Sequence, residues 1–240
     1  IVYGGGDSDG STVVDTIGYN TIATAGNASD FGNLTQARRV VGTGNITRGL
    51  FLGGYLAPGG TYVNTVDYIT IGSTGNATDF GDILAAGTYV SSGGDATRAI
   101  FAGAGATNVI QYVTTATPGN AVDFGDMTVT TNARYKGECA GTLRTLFAGG
   151  YSGGYINTID FVTPATTGNA TDFGDLTAGK YSGSSTSNDT YGTFAGGMDS
   201  TGSAINVIER VTLASAGNAA DHGDLTGVSD NNGGSSGAAS

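Results

Sequence analysis

The chain repeats one acidic phrase five times, and that repetition limits its fold more than any single residue does. GNATDFGD stands at 75–82 and again at 168–175, with GNASDFGN at 26–33, GNAVDFGD at 119–126 and GNAADHGD at 217–224. Two other landmarks recur in fixed order with it. An apolar strand closed by glycines opens each unit: IVYGGG at 1–6, LFLGGY at 50–55, IFAGAG at 100–105, LFAGGY at 146–151 and TFAGGM at 193–198. A β-type run follows: DTIGYNTI at 15–22, NTVDYITI at 64–71, NVIQYVTT at 108–115, NTIDFVTP at 157–164 and NVIERVTL at 206–213. Unit starts at 1, 50, 100, 146 and 193 give spacings of 46 to 50 residues, with no other kind of segment between them.

A unit of that size holds three or four short strands. β-branched residues and period-2 alternation dominate it, and no stretch shows a helical period. In NTVDYITI, Val66, Tyr68 and Thr70 share one face while Thr65, Asp67, Ile69 and Ile71 share the other, a pattern that suits a strand covered by a sheet on each side. Repeats of about 40 to 50 residues with four strands each mark propeller blades. Spacing separates rigid parts from variable ones. Tyr19 to Phe31, Tyr68 to Phe80, Tyr112 to Phe124 and Phe161 to Phe173 are each 12 residues apart, and Arg210 to His222 keeps the 12. Phe51 to Tyr68 is 17, whereas Phe101 to Tyr112 is 11, so the connection between these landmarks is the adjustable loop.

The ends add a count. Thr177 to Phe194 is 17 residues, and Thr226 to Tyr3 is also 17 if Ser240 is followed by Ile1. The expectation is an all-β, kelch-like, five-bladed β-propeller over 1–240 as one domain, about 48 residues per blade, its ring closed by pairing of N- and C-terminal strands. The tail at 227–240, GVSDNNGGSSGAAS, is poor in apolar residues for that task. The start at Ile1, without a methionine or a secretory segment, is expected of a processed product or of part of something longer.

The glycine pair after an apolar strand, the tyrosine at a set distance and the aromatic 12 residues later resemble kelch-type propeller repeats, with Phe31, Phe80, Phe124 and Phe173 where kelch usually has Trp. More narrowly, the wording of NTVDYITI, GNATDFGD and TRGLF looks like a repeat of uncharacterised, often long proteins of marine bacteria and their tailed phages. That likeness implies virion fibres or surface proteins and assigns no ligand residues.

Charge removes several partners. Twenty acids face nine bases for a net charge of -11, and with only two lysines and scattered arginines, Arg38-Arg39 being the one adjacent pair, there is no basic groove for nucleic acid. An anionic membrane surface repels such a chain, and no apolar run approaches the ~18 residues of a spanning helix. Eighteen of the acids are Asp, which favours turns over helices.

The acids recur as Asp79 with Asp82, Asp123 with Asp126, Asp172 with Asp175 and Asp221 with Asp224, while Asp30 is paired only with Asn33. Asp before glycine bonds its own backbone in an Asx-turn, so these are expected to be structural blade turns, with calcium a weaker alternative and no metal assigned. Arg48, Arg98 and Arg144 precede the glycine-ended strands, where Tyr191 replaces them in the fifth unit, and are expected to pair between blades with a neighbouring Asp. His222 is the only histidine and occupies a Phe slot, and Cys139 is the only cysteine, so zinc sites and Ser-His-Asp triads have no cast. The expectation is no enzyme, no catalytic residue and no cofactor.

GYLAPGGTYVN at 54–64 and GYSGGYIN at 150–157 carry Tyr55, Tyr62, Tyr151 and Tyr155 among small residues, an arrangement suited to stacking on sugar faces. The leading functional expectation is a structural and recognition module of a phage virion fibre or surface appendage, at the virion or cell surface, contacting other structural proteins and a host glycan or protein. A secreted or cell-surface lectin-like adhesin and a scaffold subunit of a filament are the alternatives. A glycosidase or lyase comes last, since it needs two acids about 5 to 9 Å apart in one cleft rather than pairs spread evenly through the repeats.

Overall fold

The computed structural model describes residues 1–8, 12–57, 59–87, 91–103, 106–132, 137–140, 143–181 and 183–230. Among them every regular element is a strand. Of the tail at 227–240, expected to help close the ring, residues 231–240 lie outside the described residues, and 227–230 carry no strand.

Each repeat folds into an antiparallel meander. The first has three strands, β1 (Val2–Gly4), β2 (Thr16–Tyr19) and β3 (Ser29–Asn33). The second has four, β4 (Arg39–Gly44), β5 (Arg48–Leu56), β6 (Thr61–Thr70) and β7 (Thr78–Asp82). The third is β8 (Ser91–Gly94), β9 (Arg98–Ala102), β10 (Ala106–Thr114) and β11 (Val122–Asn132), and the fourth is β12 (Gly137–Ala140), β13 (Thr145–Ala148), β14 (Thr158–Val162) and β15 (Thr171–Asp175). In the fifth, a two-stranded ribbon of β16 (Lys180–Tyr181) and β19 (Met198–Asp199) accompanies a sheet of β17 (Ser184–Ser187), β18 (Tyr191–Ala195), β20 (Val207–Thr212) and β21 (Ala220–Asp224). First strands of successive four-stranded sheets lie side by side: β4 against β8, β8 against β12, β12 against β17.

The core lies between sheets, in four clusters. At each joint a phenylalanine of the second strand is buried against the sheet before it: Phe51 with Ile17 and Phe31, Phe101 with Leu50 and Phe80, Phe147 with Ile100 and Phe124, Phe194 with Leu146 and Phe173. This is why alternation on β6 reads as apolar on both faces: Val66 belongs to the cluster with the following sheet and Ile69 to the cluster with the preceding one.

The recurrent phrase is the outer strand, and a bulge shapes it. Val66 pairs with Gly81 and Asp67 with Asp79, leaving Phe80 as the extra residue, and the same register shift recurs in all five units. The Asp ahead of the bulged aromatic accepts the glycine N–H after it, from Asp30 to Gly32, Asp79 to Gly81, Asp123 to Gly125, Asp172 to Gly174 and Asp221 to Gly223, at 3.0 to 3.2 Å. The bulged ring meets the third-strand aromatic edge-on, Phe80 with Tyr68 at 5.7 Å and Phe173 with Phe161 at 5.9 Å. The 12-residue spacing is the contour length of that local contact.

Candidate functional site: the joints and the loop surface

Three sets of hydrogen bonds knit neighbouring sheets. The first is the phrase itself, which binds its own copy in the preceding unit. Gly119 N–H donates to Phe80 O at 2.7 Å, Ala121 N–H to Asp82 O at 2.8 Å, and Asp82 N–H donates back to Asn120 Oδ1 at 3.1 Å. The same three bonds tie Gly75, Asn76 and Ala77 to Phe31 and Asn33; Gly168, Asn169 and Ala170 to Phe124 and Asp126; and Gly217, Asn218 and Ala219 to Phe173 and Asp175. Every phrase therefore has a donor half, Gly-Asn-Ala, and an acceptor half, aromatic-Gly-Asp or, in the first unit, Phe-Gly-Asn. Glycine is required in the acceptor half: Gly81 has φ +140°, and a Cβ there would lie 2.6 Å from Gly119 O.

The second set joins the outer strand of one sheet, or the linker just after it, to the third strand of the next. Thr35 donates through N–H and Oγ1 to the Asp67 carboxylate at 2.9 and 2.7 Å, and Arg38, buried with Asp67, pairs with it at 3.0 Å. Thr128 donates twice to Asp160, and Thr177 twice to Glu209, which also pairs with buried Lys180. At the remaining observed joint a neutral pair serves: Leu84 N–H donates to Gln111 Oε1 at 2.8 Å. A buried carboxylate needs such partners to stay charged inside a sheet stack. Asp67, Gln111, Asp160 and Glu209 occupy one column of the repeat, and that column is the signal from which sequence reasoning missed these anchors; Gly18 fills it in the first unit.

The third set belongs to the arginines. Arg48 Nη1 donates to Thr115 O at 2.9 Å, Arg98 Nη1 to Pro164 O at 2.7 Å and Arg144 Nη1 to Leu213 O at 2.8 Å, each reaching the next sheet. Their partners are main-chain carbonyls, not the neighbouring Asp that the sequence suggests. Each guanidinium also lies over a ring of its own sheet, Arg98 4.8 Å from the centre of Tyr112. In the fifth unit the roles exchange, with Arg210 4.4 Å over Tyr191. Truncating Arg98 to alanine removes one bond to a charged donor and one ring contact, an expected loss of about 2 to 3 kcal/mol in urea unfolding; a change below about 0.5 kcal/mol would show that the contact contributes nothing.

The connections from second to third strand gather the tyrosines. Tyr55 and Tyr62 face each other across the β5–β6 hairpin with rings 5.5 Å apart, and Arg39, paired with Asp7 at 2.7 Å, sits 5.2 Å over Tyr55. Beside them is an open cleft of about 670 Å³ lined by Thr12, Val13, Gln36, Ala37, Leu56, Ala57 and Thr61. Two sheets further on, Tyr151 and Tyr155 form an isolated bridge with rings 5.5 Å apart, and Tyr181, not singled out in the sequence, stacks on Tyr155 at 5.1 Å and 8°. The four tyrosines thus form two pairs rather than one site. In the equivalent loop of the fifth unit, hydrogen bonds from Thr201 and Ser203 hold the Asp199 carboxyl below the usual aspartate range.

Among the described residues no three His, Cys, Asp or Glu side chains gather as a metal site. Asp82, Asp126 and Asp175 enter the joints through their main chains, and Asp224 and His222 are exposed on β21. A comparison with protein-family models finds no match, and neither does a comparison with curated proteins.

Proposed function

We propose that this chain is a non-enzymatic structural and recognition module of a virion fibre or surface appendage, a kelch-like stack of blades that presents its loops to a host glycan or protein. The observation that carries this reading is the pairing of Tyr55 with Tyr62 beside the 670 Å³ cleft, on loops whose lengths differ from unit to unit while the joints beneath them repeat. Tyr62 is 47% exposed and Tyr151 40%, so each pair offers one ring edge to a ligand while its partner holds the orientation. In its finer form the reading is a ring of five blades closed by the terminal strands. The strand count supports this, since the first sheet has three strands, β1-β2-β3, where the main sheet of each other repeat has four.

The test is binding of the labelled chain to intact host cells and a glycan panel, with and without calcium. Saturable binding is expected, weakened at least about tenfold by Tyr62→Ala, as fits the loss of roughly 1.4 kcal/mol from one stacking ring. Binding unaffected by Tyr62→Ala and Tyr151→Ala would overturn this placement, and calcium dependence would reassign it to the acids.

A further inference from the structure

The phrase joint has two halves, and one of each is left unfilled among the described residues. Four acceptor halves are filled by the donor half of the next repeat. In the fifth, a Cβ on Gly223 would meet nothing within 4 Å among the described residues, and β21 is exposed along its whole length. At the opposite end Ala28 is exposed, whereas Ala121 and Ala219, in the equivalent place, are buried.

We propose that the open halves bind each other between molecules: Gly26 and Ala28 of one copy donate to His222 O and Asp224 O of a second copy, whose Asp224 N–H donates to Asn27 Oδ1. The bonds are those of the four observed joints, and no bond among the described residues joins the two halves within one chain. The terminal faces suit a contact that forms and separates. Tyr3, 54% exposed, stands where the other units bury Phe51, Phe101, Phe147 and Phe194; Asn20 stands where they bury Ile69, Val113, Val162 and Val211. On the last sheet His222 replaces the buried phenylalanine of the phrase and Thr193 replaces Leu146. Gly18 and Tyr191 also withdraw the carboxylate and the arginine that reinforce other joints. What remains is the main-chain clasp with a polar surround, as in interfaces whose partners must stay soluble alone. The contact is heterologous, head to tail, so it propagates unless its rotation closes. This inference does not depend on the recognition reading, and a module that binds glycan as a monomer would leave that reading intact; it takes the place of ring closure, since the one open pair of halves can be joined within a chain or between chains but not both.

Sedimentation velocity of the full chain over a wide concentration range tests it. Wild-type mass is expected to rise with concentration, and more readily in high salt, which screens repulsion between acidic copies. Ala28→Pro deletes one donor at an exposed position outside any strand, and Gly223→Ala places a methyl where the incoming glycine carbonyl must lie; each alone is expected to remain monomeric. Mixed in equal amounts, the two variants retain one sound donor half and one sound acceptor half and are expected to stop at a dimer. Wild type that is monomeric throughout, variants that assemble like wild type, or a mixture that stays monomeric would each overturn the proposal. Monomeric wild type with slow exchange of the Gly26 and Ala28 amides would assign the clasp to ring closure instead.

Discussion

Gly81→Ala is expected to lower unfolding stability by about 3 to 5 kcal/mol. About 1 to 3 of that comes from a non-glycine residue at φ +140°, and the remainder from main-chain hydrogen bonds that cannot survive a methyl 2.6 Å from Gly119 O. Gly223 is the internal control. It shares the conformation, at φ +138°, and lacks the neighbour, so Gly223→Ala in a dilute monomer is expected to cost only the conformational part, about 1 to 3 kcal/mol. Urea midpoints compared at matched m-values separate the two contributions. Equal losses at both positions would mean that φ alone matters and that the phrase joint adds no stability.

Asp67→Leu carries the second large effect. Arg38 and Asp67 are both fully buried, and the carboxylate also receives two bonds from Thr35. Removing it leaves a guanidinium without its counter-charge inside the stack, an expected cost of about 3 to 5 kcal/mol. Arg38→Met together with Asp67→Leu is expected to recover at least about 1 kcal/mol of that loss, because no unpaired charge then remains buried. A double variant less stable than Asp67→Leu alone would show that Arg38 contributes chiefly through its bond to Gly53 O at 2.8 Å rather than through the ion pair.

What the sequence discloses divides by distance along the chain. The 12-residue aromatic spacing and the Asx bonds are local, written within one hairpin, and could be read from letters. Contacts between sheets span longer intervals, such as Thr35 to Asp67 and Asp82 to Asn120, and many end on carbonyls such as Thr115 O and Pro164 O. A carbonyl belongs to every residue, so no letter marks it as a partner. Asp67 was visible only as the polar member of an alternating strand, and its significance lay in the column it shares with Gln111, Asp160 and Glu209. Tyr181 escaped because its partner Tyr155 lies across a loop in the preceding unit. The phrase itself was legible as a turn, but its second role as a connector was not, since both halves of the connection have the same spelling.

That shared spelling bears on how such a chain can change length. A repeat that gives its neighbour the same three bonds it receives fits beside any other, so a whole unit gained or lost by unequal recombination leaves the flanking units with compatible edges. The buried carboxylates do not share this freedom. The Arg38–Asp67 and Lys180–Glu209 pairs divide opposite charges between the stretch that leads into a sheet and that sheet's third strand, and Gln111 meets a linker that has Gly87 at the cation's place. Recombination that separates a cation from its acid would bury a lone charge, so inheritance is expected to favour breakpoints that keep each linker with the third strand that follows it.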